Sequence, residues 1–246
     1  MDVGTLMMQK TKIEWCDFTV NPVKGLCPVD CKDTQGKSYC YARRLYRRFH
    51  WDETIRLDVD AFLPLLEYQH KPSRIFLGST IELFGSWVKP EWLDFIFERV
   101  RMLPEHTFIF LTKQTQNLPK EFPPNCWVGV SVTNAKMADD AGYYLEQIVA
   151  KVRFLSLEPL LEPMHLHFGN QPGRKLDWVI IGAQTPYSAK TAPPMEWVQE
   201  ILVAANNAGI PVFMKNNLRP VLDNTEIPGW TGFELRQEWP NADRGD

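Results

Sequence analysis

Apolar positions along the chain follow two alternating rhythms. Short runs rich in Val, Ile, Phe and Leu, bounded by turn residues, predict strands over 13–23, 74–79, 107–112, 127–133, 152–157, 178–182 and 212–215. Between them the spacing changes to that of helices. Leu93, Ile96, Phe97 and Val100 form an i, i+3, i+4, i+7 stripe behind Pro90, which suits a first helical position. Ala141, Tyr144, Leu145 and Ile148 repeat it, as do Val198, Ile201, Leu202 and Ala205, with Gly209 as a terminating glycine. Two further helical stretches are expected over 41–50 and 61–68. Strands alternating with helices predict right-handed βαβ units and a parallel sheet, hence an α/β fold of mostly parallel strands, open or closed only in part.

No linker divides the pattern, so one domain over 1–246 is expected, with a leader over 1–12 and a tail over 218–246. In a parallel barrel the chemistry sits at the carboxyl ends of strands. Those ends carry Ser79, Thr80 and Glu82; Lys113 and Gln114; Ser131, Thr133 and Asn134; Glu158; Gln184 and Thr185; Lys215 and Asn216.

Composition narrows the setting. The chain of 246 residues is 44 % hydrophobic with no run long enough to span a bilayer, and its start lacks the order of a signal peptide. A cytoplasmic protein without membrane contact is expected. The net charge of −3 gives no global attraction to nucleic acid, yet 34–51 holds no acid while Lys37, Arg43, Arg44, Arg47, Arg48 and His50 fall within it. Arg43, Arg44, Arg47 and Arg48 are therefore candidate contacts for nucleic acid or phosphate, against the alternative of a solvated helix face.

Three of the five cysteines, Cys27, Cys31 and Cys40, lie within fourteen positions, in a stretch kept in turns by Pro22, Gly25, Pro28 and Gly36. In a reducing compartment, clustered thiols read as metal or redox ligands and not as a disulfide framework. Three thiolates suit a cluster that leaves one iron open; a fourth ligand from Cys16 or His50 would instead close a structural zinc site. Cys126 reads as core, and His106, His165 and His167 as scattered. Trp15, Trp51 and Trp87 are the tryptophans placed to stack on a base or an adenine.

The C-x3-C spacing followed by Tyr39-Cys40 resembles the cluster loop of the radical S-adenosylmethionine (SAM) superfamily, C-x3-C-x2-C, with 32–38 carrying an insertion of six residues. Lys12-Ile-Glu-Trp15, Asn21-Pro-Val, Cys40-Tyr-Ala-Arg43, Phe110-Leu-Thr-Lys113, Trp127-Val-Gly-Val-Ser-Val-Thr133, Phe154-Leu-Ser-Leu-Glu-Pro159 and Asp177-Trp-Val-Ile-Ile-Gly182 resemble a phage-associated three-cysteine-motif family of unknown function over about residues 10 to 218. The resemblance implies a radical SAM-like partial barrel, distantly similar to spore photoproduct lyase. It implies a [4Fe-4S] cluster on Cys27, Cys31 and Cys40, with SAM on its fourth iron. By the same resemblance Ser79, Thr80 and Glu82 become candidates for the SAM amino group, though the Gly-Gly-Glu of such families is not present. Ser131 and Glu158 become candidates for its carboxylate or ribose.

Two classes of function follow. One is a radical SAM enzyme acting on nucleic acid or a nucleotide, supplied with electrons by a donor such as a flavodoxin or ferredoxin. The other is a non-catalytic iron-sulfur or zinc-binding module of a phage or mobile element. Modification of a peptide or small molecule by the same radical is a third outcome.

Overall fold

A computed structural model describes residues 10–67, 71–166, 176–223 and 234–240. Most of the expected leader and tail, His167, and Tyr68 at the end of the second helical stretch lie outside the described residues.

In chain order the elements are β1 (Phe18–Val20), β2 (Val23–Lys24), α1 (Tyr41–Phe49), β3 (Arg56–Leu57), α2 (Leu63–Glu67), β4 (Arg74–Leu77), α3 (Pro90–Arg101), β5 (Thr107–Thr112) and β6 (Cys126–Ser131). There follow α4 (Ala135–Leu145), β7 (Val152–Leu157), β8 (Trp178–Ile181), α5 (Met195–Ala208), β9 (Val212–Met214) and α6 (Arg219–Asp223). Seven strands form one sheet in the order β1-β4-β5-β6-β7-β8-β9, parallel in the β1–β4, β4–β5, β7–β8 and β8–β9 pairs. This is the expected α/β class: an open, sequentially ordered parallel sheet, the topology of a partial barrel. Strands β2 and β3 form a separate antiparallel pair.

The first strand is shorter than its residue types predict. Ile13 begins a tight turn, with Cys16 N–H donating to its carbonyl at 3.4 Å, and Lys10 folds back to bridge Phe18. Only 18–20 of the expected 13–23 therefore run in the sheet. The other main strands start and end within a residue or two of expectation. Gly78, at φ +74°, ends β4, and a Cβ there would fall 2.5 Å from Leu83 Cγ.

By their contacts the residues group into two compact units: 1–32 with 40–128 and 149–151, and 33–39 with 129–148 and 152–246. In the first, α3 sets Ile96, Phe97 and Val100 into the core, and Phe84, Phe97, Phe110 and Phe122 pack ring on ring at 5.4–5.9 Å. In the second, α5 buries Val198, Ile201, Leu202 and Ala205 and stops at Gly209, left-handed at φ 65°. Trp178 stacks there on Trp239 at 5.2 Å.

One device recurs in each unit. An aspartate just before a strand accepts the N–H of an arginine at the start of the neighbouring strand: Asp17 from Arg74, the first residue of β4, and Asp177 from Arg153, the second of β7, both at 2.8 Å. Strand register is thereby fixed at its amino end. Among the described residues no helix is long and apolar enough to cross a membrane.

Candidate cysteine-centred site

The site grows from the loop between β1 and α1. Gly25, at φ +121°, lets this loop lie against the chain beyond α1, where an added Cβ would meet Ile55 Cα at 2.6 Å. The N–H of Gly25 donates to the Tyr46 hydroxyl at 2.8 Å, so the loop is bound to the helix that follows it. The insertion between the second and third cysteines closes on itself. Asp33 N–H donates to the Lys37 carbonyl at 2.9 Å, and the Asp33 carboxylate accepts from the N–H groups of Gln35 and Lys37 at 3.0 and 2.8 Å. Gly36, at φ +76°, makes the reversal. This fold-back brings Lys37 back beside Asp33.

All five cysteines are free thiols, and Cys31 and Cys40 lie near enough to shift each other's acidity. Cys27 lies within the electrostatic reach of both. Interaction with the Cys31 thiol is the main influence holding the Cys40 thiol down at about 6. Cys40 is also the N-cap of α1; its sulfur makes no capping hydrogen bond of good geometry, but the Arg43 and Ala42 amides and the Arg43 charge favour its anion. Cys31 is pushed up by its interaction with Cys40 and by burial, while the Lys113 charge works the other way. Burial raises Cys27 against the N–H groups of Glu82 and Val29 that face its sulfur.

Among the described residues no three His, Cys, Asp or Glu side chains stand grouped closely enough to hold a metal ion as they lie. In kind and neighbourhood the residues nevertheless fit an iron-sulfur cluster. All three residues are thiols, the kind of ligand such a cluster takes, and the Glu82 N–H reaches the Cys27 sulfur as cluster-binding thiolates require. The zinc alternatives fare worse. His50 caps the far end of α1, about 14 Å along the helix axis from Cys40. Cys16 is buried and turned to the carbonyl of Ile13 at 3.9 Å.

Glu82, 9 % exposed, has both carboxylate oxygens engaged. One accepts from the Thr112 hydroxyl at 2.7 Å and the Phe84 N–H at 3.1 Å, the other from the Lys113 N–H at 2.8 Å. Its own N–H donates to Cys27 Sγ at 3.4 Å, and its carbonyl accepts from the Trp87 indole at 3.1 Å. Glu82 thus links the cysteine loop to the end of β5. Ser79 and Thr80 turn toward Asn21, whose side-chain oxygen accepts from both hydroxyls at 3.2 Å and from the Thr80 N–H at 3.1 Å. The Tyr41 hydroxyl, one residue after Cys40, donates to the Ser79 carbonyl. Asn21 is the organising residue missing from the strand-end reading. The Asn-Pro-Val segment just after the first strand carried the signal.

Ser131 and Glu158 belong to the second unit. Ser131 is buried at the end of β6, and Glu158 is ion-paired with Lys215. Gly182 beside the pair has no room for a side chain beyond a methyl, since a Cβ would lie 3.0 Å from Lys215 Cδ and 3.2 Å from Glu158 Cγ. Asn217, not Asn216, holds the neighbouring turn, bridging the N–H and carbonyl of Ala183 at 3.0 and 2.8 Å. Asn134 caps α4 by accepting the Met137 N–H at 2.9 Å. Cys126 is fully buried, as expected of core.

The four arginines separate into two kinds. Arg43 is committed inward, donating to the Cys27 carbonyl at 2.7 Å and lying 3.7 Å from Asp30. Arg44, Arg47 and Arg48 are exposed on α1. Trp15 is buried against Phe76 at 4.9 Å, whereas Trp51 is exposed.

Among solved structures the chain is similar to spore photoproduct lyase complexed with dinucleoside spore photoproduct, at 12 % identity and a TM-score of 0.47 over 80 % of this chain and 64 % of that one. A mutant of the same lyase with bound AdoMet and dinucleoside spore photoproduct aligns at 11 % identity and a TM-score of 0.48, with the same coverage. The chain therefore spans just under two thirds of that enzyme's length. No curated protein sequence matches it. A family model does, over residues 10–219, and the chain belongs to that family, described as a protein of unknown function (DUF5131).

Proposed function

We propose that the chain is a radical SAM-like iron-sulfur enzyme acting on a nucleic acid or nucleotide, with Cys27, Cys31 and Cys40 as the ligands of a [4Fe-4S] cluster. What supports the proposal is the cysteine spacing on the loop that leads into α1, with Cys40 at its N-cap and the Glu82 N–H on the Cys27 sulfur. Cys27, Cys31 and Cys40 would hold the cluster, which would supply one-electron reductive cleavage of the sulfonium carbon-sulfur bond of SAM.

The protein's own part is to bind and orient. Ser79 and Thr80 spend their hydroxyl protons on Asn21, which leaves their oxygen lone pairs as acceptors for the SAM ammonium. Glu82 has three of about four acceptor positions filled, so its role in this reading is to brace Cys27 and Lys113 more than to bind SAM. Lys113 adds positive charge facing Cys31 and favours the thiolates. A flavodoxin or ferredoxin is proposed as electron donor.

The test is protein purified and reconstituted without oxygen, then reduced with SAM present and assayed for 5′-deoxyadenosine. The reading expects formation of this product and its loss in Cys31→Ala. Absence of product from protein carrying its full metal complement overturns it.

A further inference from the structure

Helix α1 buries only Ala42 and Tyr46, and its outer side is unusually furnished. Tyr41, Arg44 and Arg48 stand at i, i+3 and i+7, one exposed face. Beyond them Phe49 and Trp51 are 51 % and 44 % exposed, stacked with ring centroids 5.6 Å apart and planes 19° from parallel. The Arg48 guanidinium lies 5.3 Å from the Phe49 ring centre. Tyr46 meets Trp51 edge-on at 5.3 Å and holds it in place. No acid occurs between 34 and 51. The first one after it, Asp52, is occupied by the Thr54 N–H at 2.9 Å and by Arg56 at 2.8 Å.

Arginines in a row ending in an exposed aromatic stack match one kind of polymer: phosphates for the guanidinium groups and a flat base for the ring. From Tyr41 to Arg48 the face runs about 10 Å, with one guanidinium at Arg44 and one at Arg48 to meet successive phosphates of one strand. At its near end the Tyr41 hydroxyl sits on the carbonyl of Ser79, so the row leads to the turn proposed for SAM. A base paired inside a duplex has no face to offer the stack, whereas every unpaired base has one.

We propose that this face, Arg44 and Arg48 with the Phe49–Trp51 stack, is the docking track for single-stranded nucleic acid; it rests on the nucleic-acid reading above and names the form of that substrate. Arg43 is not part of the track, because its guanidinium is held by the Cys27 carbonyl and Asp30.

The test is fluorescence anisotropy of the full chain with a labelled oligothymidylate of about 12 nucleotides, over a range of salt and without SAM or reductant. Binding is expected to weaken as salt rises. Arg44→Ala and Arg48→Ala each lower the slope of log affinity against log salt by about 0.7. Trp51→Ala weakens binding about tenfold at every salt concentration without changing the slope, and Trp51→Phe restores most of it. Thermal melts identify any variant that is unfolded; the arginine slopes decide the matter if Trp51→Ala is one.

No binding by the unaltered chain at low salt overturns the proposal. So does equal affinity for a duplex with Trp51→Ala neutral, which leaves only a basic surface. Sedimentation with phosphatidylserine vesicles in place of oligonucleotide binding assigns the face to a membrane instead. Because neither iron nor SAM enters the assay, its failure is separate from failure to form 5′-deoxyadenosine.

Discussion

The N–H of Glu82 donates to Cys27 Sγ at 3.4 Å, while the carboxylate of the same residue accepts from Thr112 Oγ1 at 2.7 Å. One residue after β4 thereby ties the cysteine loop to the end of β5. A thiol raised by burial and faced by backbone N–H groups is one whose anion is ready to be held once a cation arrives.

Removing that carboxylate strands three donors in a buried place. Each unsatisfied buried group costs about 1–3 kcal/mol, so Glu82→Ala is expected to lose about 3 kcal/mol in all. For a chain of this size that lowers Tm by roughly 6–12 °C. Glu82→Gln keeps one acceptor and should fall between, as thermal melting in parallel will show. A melting temperature unchanged in Glu82→Ala would mean that the three donors find water.

Gly25 is the tightest point of the cysteine loop. Its φ of +121° is strained for any side chain, and a methyl group would overlap the Ile55 backbone, which cannot move as a side chain tip can. Gly25→Ala is expected to cost at least about 2 kcal/mol and to lower bound iron, measured by melting and by metal analysis of the same sample.

Asp17 gives the acid sensitivity its sign. Partial burial pushes its carboxyl up, but the Arg74 N–H and guanidinium outweigh that and hold it below the ordinary carboxylate value. Its folded value is depressed, so its contribution is complete above the unfolded value near 4 and lost as pH falls through the folded one. Because the side chain is 41 % exposed, solvent screening keeps the gain to about 1 kcal/mol or less. Asp17→Asn is expected to lower stability at pH 7 and to flatten the pH dependence below pH 4. An identical acid limb in both proteins, read by denaturant midpoints, would contradict this.

The fold-back of the insertion rests on Asp33. Asp33→Ala removes the acceptor for Gln35 and Lys37 at an exposed loop and is expected to cost only about 1 kcal/mol of stability. Its larger effect should be on metal: less iron retained per chain, since the segment between Cys31 and Cys40 is then no longer closed on itself. Retention equal to the unaltered chain would contradict this.

Much of the architecture was legible in the sequence because it is periodic. The α3 stripe behind Pro90, the α5 stripe ending at Gly209 and the apolar runs of β5 and β7 are local signals, and they stand where they were expected. Strands β2 and β3 were not legible, since two residues carry no period. The early end of the first strand came from the turn at Ile13, which residue types rich in Trp, Phe and Val disguised.

At the site, spacing named the three thiols as candidates, but it gave no sign of the roles of Glu82, Asn21 and Arg43. Each is fixed by partners distant in sequence: Glu82 by Thr112 and Lys113, Asn21 by Ser79 and Thr80, Arg43 by the carbonyl of Cys27. A strand-end rule finds polar residues but cannot tell those that face a ligand from those that hold the turn. Charge counting likewise could not separate the inward Arg43 from the exposed Arg44 and Arg48.

The central claim is that Cys27, Cys31 and Cys40 together carry an iron-sulfur cluster. The most direct measurement is the metal and sulfide content of the chain purified without oxygen, beside Cys27→Ala, Cys31→Ala and Cys40→Ala. The account predicts about four irons and four sulfides per chain in the unaltered protein and loss of both in each variant. One zinc ion per chain without sulfide, or iron indifferent to any of the three substitutions, would contradict it.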